Sequence, residues 1–155
     1  MPRSARSFPV RLGAMFLLAT LSLTACGEKQ PTAAEAGETL KAHILKLLEE
    51  VNAKNIQITD PGGKDISCGE GRAKRTFAAT GQDIAPERQA NGLNEMMVSA
   101  SKRVANYELV SIGDPDDIND PMTVVDESSR TSLILQSSTN GRYAVRGETK
   151  CLSRL

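Results

Sequence analysis

The chain has 155 residues, of which 39% are hydrophobic and only 3% aromatic, with no tryptophan and 19 basic against 19 acidic side chains. That length suits one domain with a modest core. Without residues 1–25 the balance is 16 basic against 19 acidic, which argues against a nucleic-acid binder, a class that concentrates basic residues in its domain, and the scarcity of rings argues against a deep carbohydrate site built on stacking.

Arg3, Arg6 and Arg11 are the only charges before Glu28, and the run 12–25 is almost wholly apolar. A charged start, an apolar middle and small residues at the end predict a secretory signal peptide over residues 1–25. The run is shorter than the roughly 20 residues that a permanent membrane-spanning helix needs. It closes with Leu23-Thr24-Ala25-Cys26, which resembles the lipobox of bacterial lipoproteins. The resemblance implies diacylglycerol transfer to the Cys26 thiol, cleavage before Cys26 and, often, acylation of the new amino group by a fatty acid such as palmitate. The plain alternatives are an ordinary cleaved signal beside a chance cysteine, or an uncleaved anchor. Two or more acyl chains hold a protein to a membrane where one does not, so the expected partner of Cys26 is the membrane itself. Gly27 rather than an aspartate follows. The pattern therefore implies the outer membrane in a Gram-negative cell and the outer face of the plasma membrane in a Gram-positive one.

Residues 1–25 hold three of the basic side chains and none of the acidic ones, so residues 26–155 carry 16 against 19, a net of −3. Besides Cys26 the chain has only Cys68 and Cys151. In an exported, oxidising compartment a disulfide between them is the natural reading. The functional alternative makes Cys68 a nucleophile with His43, the lone histidine, as its base.

Residues 26–33 read as the lipidated cysteine and a polar tether, and residues 34–155 as a single domain. Thr32 with Glu35 fits a capping box, although a helix start near Gly37 is also possible. Leu40, Ile44, Leu47, Leu48 and Val51 then recur at helical spacing. His43 lies at the edge of this stripe, as a boundary histidine or as a ligand or base. Ile56 and Ile58 alternate with polar neighbours and predict a short strand, followed by the turn Asp60-Pro61-Gly62-Gly63. The stretch 64–75 is basic. Its Gly69-Glu70-Gly71 lacks the remaining glycine and the Lys-Ser/Thr of a phosphate-binding loop. A second strand is expected over 72–80, with Ala73, Arg75, Phe77 and Ala79 on one side.

Pro86 suits the first turn of a second helix, whose inward stripe is Leu93, Met96, Met97, Ala100 and Val104. Gly92 inside it suggests close packing against a sheet. A strand over 107–112 should turn Tyr107, Leu109 and Ser111 to one side. The acidic stretch 114–120 does not match a standard calcium loop. It reads as a solvated turn or an irregular cation loop. Three strands complete the chain, over 122–126, 131–137 and 143–149. A four-residue loop should pair Val124 with Leu133 and Met122 with Leu135. A three-residue loop Thr139-Asn140-Gly141, with Gly141 left-handed, should pair Leu135 with Val145. A two-residue Asn-Gly turn would instead set Leu135 against Arg146.

This order predicts an α+β fold: a two-layer sandwich of one mainly antiparallel sheet with two helices on one face. The mature part is similar in organisation to small uncharacterised secreted lipoproteins of actinobacteria. The likeness rests on Cys68 before the second strand, the helix 93–104 and the ending from Tyr143 to Cys151. No catalytic set, cofactor site or metal site is expected, nor a nucleic-acid partner. The expected function is a lipid-anchored cell-envelope protein acting as a binding or structural module, meeting an envelope protein or wall polymer. The alternative is an envelope hydrolase or transferase using carboxylates such as Glu70 or Asp117. A pocket of convergent carboxylates would favour the enzyme, and an exposed sheet face the binder.

Overall fold

The computed structural model describes residues 30–155 except 115, 116, 118 and 119. The leader, Cys26 and part of the acidic stretch therefore lie outside the described residues. Helix α1 spans Ala33–Glu50. Its start is fixed by the capping box: the Thr32 hydroxyl accepts the Glu35 N–H at 3.2 Å, and the Glu35 carboxylate accepts the Thr32 N–H at 2.8 Å. The start near Gly37 is thereby excluded, and the helix begins directly after Thr32. Leu40, Ile44, Leu47 and Leu48 are fully buried, as the stripe predicts. The helix ends at Val51, after which Asn52 turns left-handed.

The strands that follow are β1 (Lys54–Asp60), β2 (Ile66–Gly69), β3 (Arg72–Lys74) and β4 (Thr76–Gln82). Helix α2 (Ala90–Val104) precedes β5 (Glu108–Ser111), β6 (Met122–Asp126), β7 (Thr131–Leu135), β8 (Arg142–Thr149) and β9 (Leu152–Ser153). Six strands form one sheet in the order β1-β4-β8-β7-β6-β5, with every neighbouring pair antiparallel. Helix α1 packs over β4 and β8, and α2 over β8, β6 and β7. One core forms between these layers from Phe77, Val124, Leu133, Leu135, Tyr143 and Val145 below and the two helical stripes above. The fold is α+β, as the element order predicts.

The hairpin registers are those the hydrophobic pattern demands. Val124 pairs with Leu133, Met122 with Leu135 and Leu135 with Val145. Ser138 and Arg142 bridge around a three-residue loop in which Gly141 has φ 66°. The two-residue turn is excluded, because it would bring an arginine into the core.

Four expectations are corrected. The predicted strand over 72–80 is two strands, because the chain changes sheets at Arg75. There Arg75 and Thr149 bond each other: the Arg75 N–H donates to the Thr149 hydroxyl, and the Thr149 N–H donates to the Arg75 carbonyl. Beyond this point β3 joins β2 and β9 in a small three-stranded sheet that the sequence pattern did not reveal. Pro86 lies in a turn closed by the Arg88 N–H on the Ala85 carbonyl, and α2 begins only at Ala90. Gly92 has nothing within 4 Å of where a Cβ would sit, so close packing does not explain it. Finally, Tyr107 is buried but every residue of β5 is exposed. As an edge strand with a bulge between Leu109 and Ser111, β5 pairs only with β6. Edge position equally leaves Ile56 and Ile58 of β1 exposed.

Candidate binding face

Alternation along a strand sends one set of side chains to the helices and the other to the opposite side. On β4 that second set is Thr76, Ala78, Thr80 and Gln82, which register against Glu148, Arg146, Ala144 and Arg142 of β8. Ser132 and Ile134 of β7 continue the rows from Glu148 and Arg146. Apart from Ile134 these are small or polar residues, unsuited to a second core, and all are half-buried or exposed. Both helices lie on the other side, so no element among the described residues covers this face.

The face is not flat. A depression of about 490 Å³ is lined by Thr59, Asp60, Thr76, Ala78, Ser132, Ile134, Arg146 and Glu148. A second, of about 190 Å³, shares Thr59, Ala78, Ile134 and Arg146 with it and reaches Thr80, Gln136 and Ala144. The first falls in the size range of small-molecule sites. A shallow hollow of about 30 Å³ continues along the same face between Asn55, Gln57, Gln82 and Arg142.

The charges along it are unevenly committed. Thr76 donates to the Asp60 carboxylate at 2.6 Å and the Gly62 N–H donates to it at 3.0 Å. The Thr76 hydroxyl, followed by the Gly62 amide, holds the Asp60 carboxyl below its usual range. Glu148 accepts from Lys74 at 2.7 Å. The guanidinium groups of Arg142 and Arg146 take part in no ion pair or hydrogen bond among the described residues, and Lys41, Lys54, Lys64 and Lys102 likewise lack a carboxylate partner, whereas Lys46, Lys74, Arg75, Arg88, Arg103, Arg130, Lys150 and Arg154 each have one.

The residues singled out from the sequence lie elsewhere. Cys68 and Cys151 form a disulfide with an S–S distance of 2.09 Å and a Cα–Cα distance of 5.9 Å. That separation is typical of the bond. It leaves Cys68 no thiol, which overturns its reading as a nucleophile. His43, read as a boundary histidine, has a partner after all: its Nδ1 lies 3.1 Å from the Tyr107 hydroxyl. From there a chain of hydroxyls runs through Thr131 and Ser129 to the buried carboxylate of Asp126, with steps of 2.7, 2.8 and 2.7 Å. Burial holds the His43 imidazole below its ordinary pKa against the opposing pull of Asp126. Burial also pushes the Tyr107 phenol up to about 12. This network pins the β6–β7 turn under α1.

Glu70 is exposed in the turn between β2 and β3, where Gly71 is left-handed, and nothing there forms a phosphate cradle. Asp117 lies in the loop after β5, in a hollow whose lining does not include Glu70. It lines a hollow of about 230 Å³ with Asn91, Glu95, Ile112, Asp114, Asp120 and Met122. No group of three or more histidine, cysteine or carboxylate residues among the described residues is disposed to hold a metal ion. No helix among them is long and apolar enough to cross a membrane.

Sequence reasoning placed Arg142 and Arg146 nowhere in particular. Their shared parity on the last long strand was the available signal, but their neighbours depend on the sheet order. Comparison of the chain with protein families, curated proteins and solved structures gives no match.

Proposed function

We propose that this protein is a lipid-anchored component of the cell envelope that acts as a binding module, held to the extracytoplasmic side of a membrane through Cys26. The leader and the lipobox-like Leu23-Thr24-Ala25-Cys26 support the anchor, and the disulfide suits an oxidising compartment. The observation that carries the binding role is the uncovered face of the six-stranded sheet, with its trough and its two unpaired arginines.

The hollow that gathers Glu95, Asp114, Asp117 and Asp120 is the one observation that favours the second reading, an envelope hydrolase or transferase working through carboxylates. General acid–base chemistry there would need one of these groups shifted towards neutral pH. Turnover of an envelope polymer that is lost in Glu95→Gln would establish it.

The anchor is tested by metabolic labelling with a fatty-acid analogue. Wild type is labelled and found with membranes, and Cys26→Ser is neither. Equal labelling of the two overturns the proposal.

A further inference from the structure

We infer that the open sheet face is a seat for an acidic glycan, a sugar polymer bearing carboxylates, with Arg142 and Arg146 as its charge-reading residues. This deepens the binding-module reading and rests on it. The two arginines stand four residues apart on β8 and so point to the same side, with Cα atoms about 13 Å apart. One small anion cannot engage both, but a chain carrying anionic groups at intervals can. Arginine meets a carboxylate through two parallel hydrogen bonds, and neither guanidinium has an internal acid to displace.

Between them the surface suits sugar rather than peptide. Its lining mixes the apolar side chains of Ala78, Ala144 and Ile134 with the hydroxyls and amide of Thr59, Thr80 and Gln136. A sugar ring has an apolar face for the first set and hydroxyls for the second. An extended peptide would have to satisfy its own backbone groups, and here the sheet's backbone is already spent on β4–β8 and β7–β8 pairing. The two smaller hollows have no aromatic ring in their lining, and the Phe77 that borders the larger one is buried, so charge must supply the affinity.

The charge layout also gives the site a direction. Asp60 and Glu148 stand at the end of the trough remote from Arg142, held by Thr76 and Lys74. Glu148 therefore both repels an incoming carboxylate and occupies Lys74. Replacing it with glutamine removes the repulsion and frees a third cation.

The test uses the full-length protein isolated from membranes in neutral detergent. Fluorescent polygalacturonate, neutral dextran and polyglutamate are titrated by polarisation. Polygalacturonate binds and dextran does not, and raising the salt to about 0.5 M abolishes binding. Arg142→Gln and Arg146→Gln each weaken it by about tenfold, the loss of one charge-assisted contact. Glu148→Gln strengthens it severalfold, whereas Lys102→Gln on α2 changes nothing. Opposite signs from neighbouring residues of one strand cannot come from unfolding. Failure of polygalacturonate to bind overturns the inference, as does equal binding of dextran. Tighter binding of polyglutamate also overturns it, in favour of an acidic protein segment. If binding fails while Cys26 is still labelled, this inference falls and the lipid-anchored reading stands. If labelling fails while binding persists, only the anchor is lost.

Discussion

Gly147 offers a severe test of how α1 sits on the sheet. It lies on β8 between Phe77 of β4 and Leu133 of β7, on the core side. A Cβ there would stand 2.6 Å from Leu40 Cδ1, 2.8 Å from Leu133 Cδ2 and 2.9 Å from the Ser132 carbonyl oxygen. Leu40 and Leu133 are both fully buried, so neither methyl can swing into solvent. The Ser132 carbonyl belongs to the sheet backbone and cannot retreat without disturbing β7. Overpacking of this kind costs about 1–3 kcal/mol. Three simultaneous contacts, one of them with backbone, place Gly147→Ala at the upper end, about 3 kcal/mol. For a domain of this size that lowers the melting temperature by about 10 °C. In a Leu40→Ala background the same change should cost about 1 kcal/mol less, because one obstruction is gone. Gly92→Ala is the opposing control: it meets nothing within 4 Å and should stabilise the protein by about 0.5–1 kcal/mol through helix propensity and a less flexible unfolded chain. Thermal melts followed by circular dichroism decide the matter. A Gly147→Ala protein that melts within about 2 °C of wild type would mean that α1 does not rest on β8 at this point.

Two further outcomes follow from the disulfide and from His43. Cys68 and Cys151 are 83 residues apart, and opening a loop of that length removes about 4.5 kcal/mol on the chain-entropy model; urea midpoints measured with and without reductant should separate accordingly, and coincident curves would show that the bond bears little of the stability. His43 has a folded-state pKa below its unfolded value of about 6.5, so the folded chain binds that proton less readily than the unfolded one. Its contribution is complete above about pH 6.5 and is lost as pH falls through the folded value, so stability declines on acidification before the ordinary carboxylates titrate. His43→Gln should flatten that part of the curve, and an unchanged slope would refute the assignment.

The parts legible in the sequence were those set by local rules. The capping box at Thr32 and Glu35 needs only its own first turn. The three C-terminal strands fixed their own registers because a one-residue slip would have driven Arg146 into the core in place of Val145. The disulfide followed from counting cysteines. What stayed hidden depended on which strands become neighbours. Nothing local marks Arg75 as the point where the chain leaves one sheet for another, since its partner there is Thr149, 74 residues away. Asn94 and Ser101 sit fully buried on α2 although their side chains are polar. Part of the reason lies across the interface, where the Ser137 N–H donates to Asn94 at 2.9 Å. The candidate face was hidden for the same reason. Parity puts Arg142 and Arg146 on one side of β8, but only the strand order reveals that this side is lined with small and hydroxylated residues and left uncovered.

The cluster of Ala33, Ala36, Ala73 and Leu152 joins the first turn of α1 to β3 and β9. The described chain therefore comes in and goes out at one corner, with the disulfide beside it. Two ends that meet at one place are the arrangement that tolerates insertion of a domain into a host loop. A tether attached at either end of the described chain would hold the domain by the same corner.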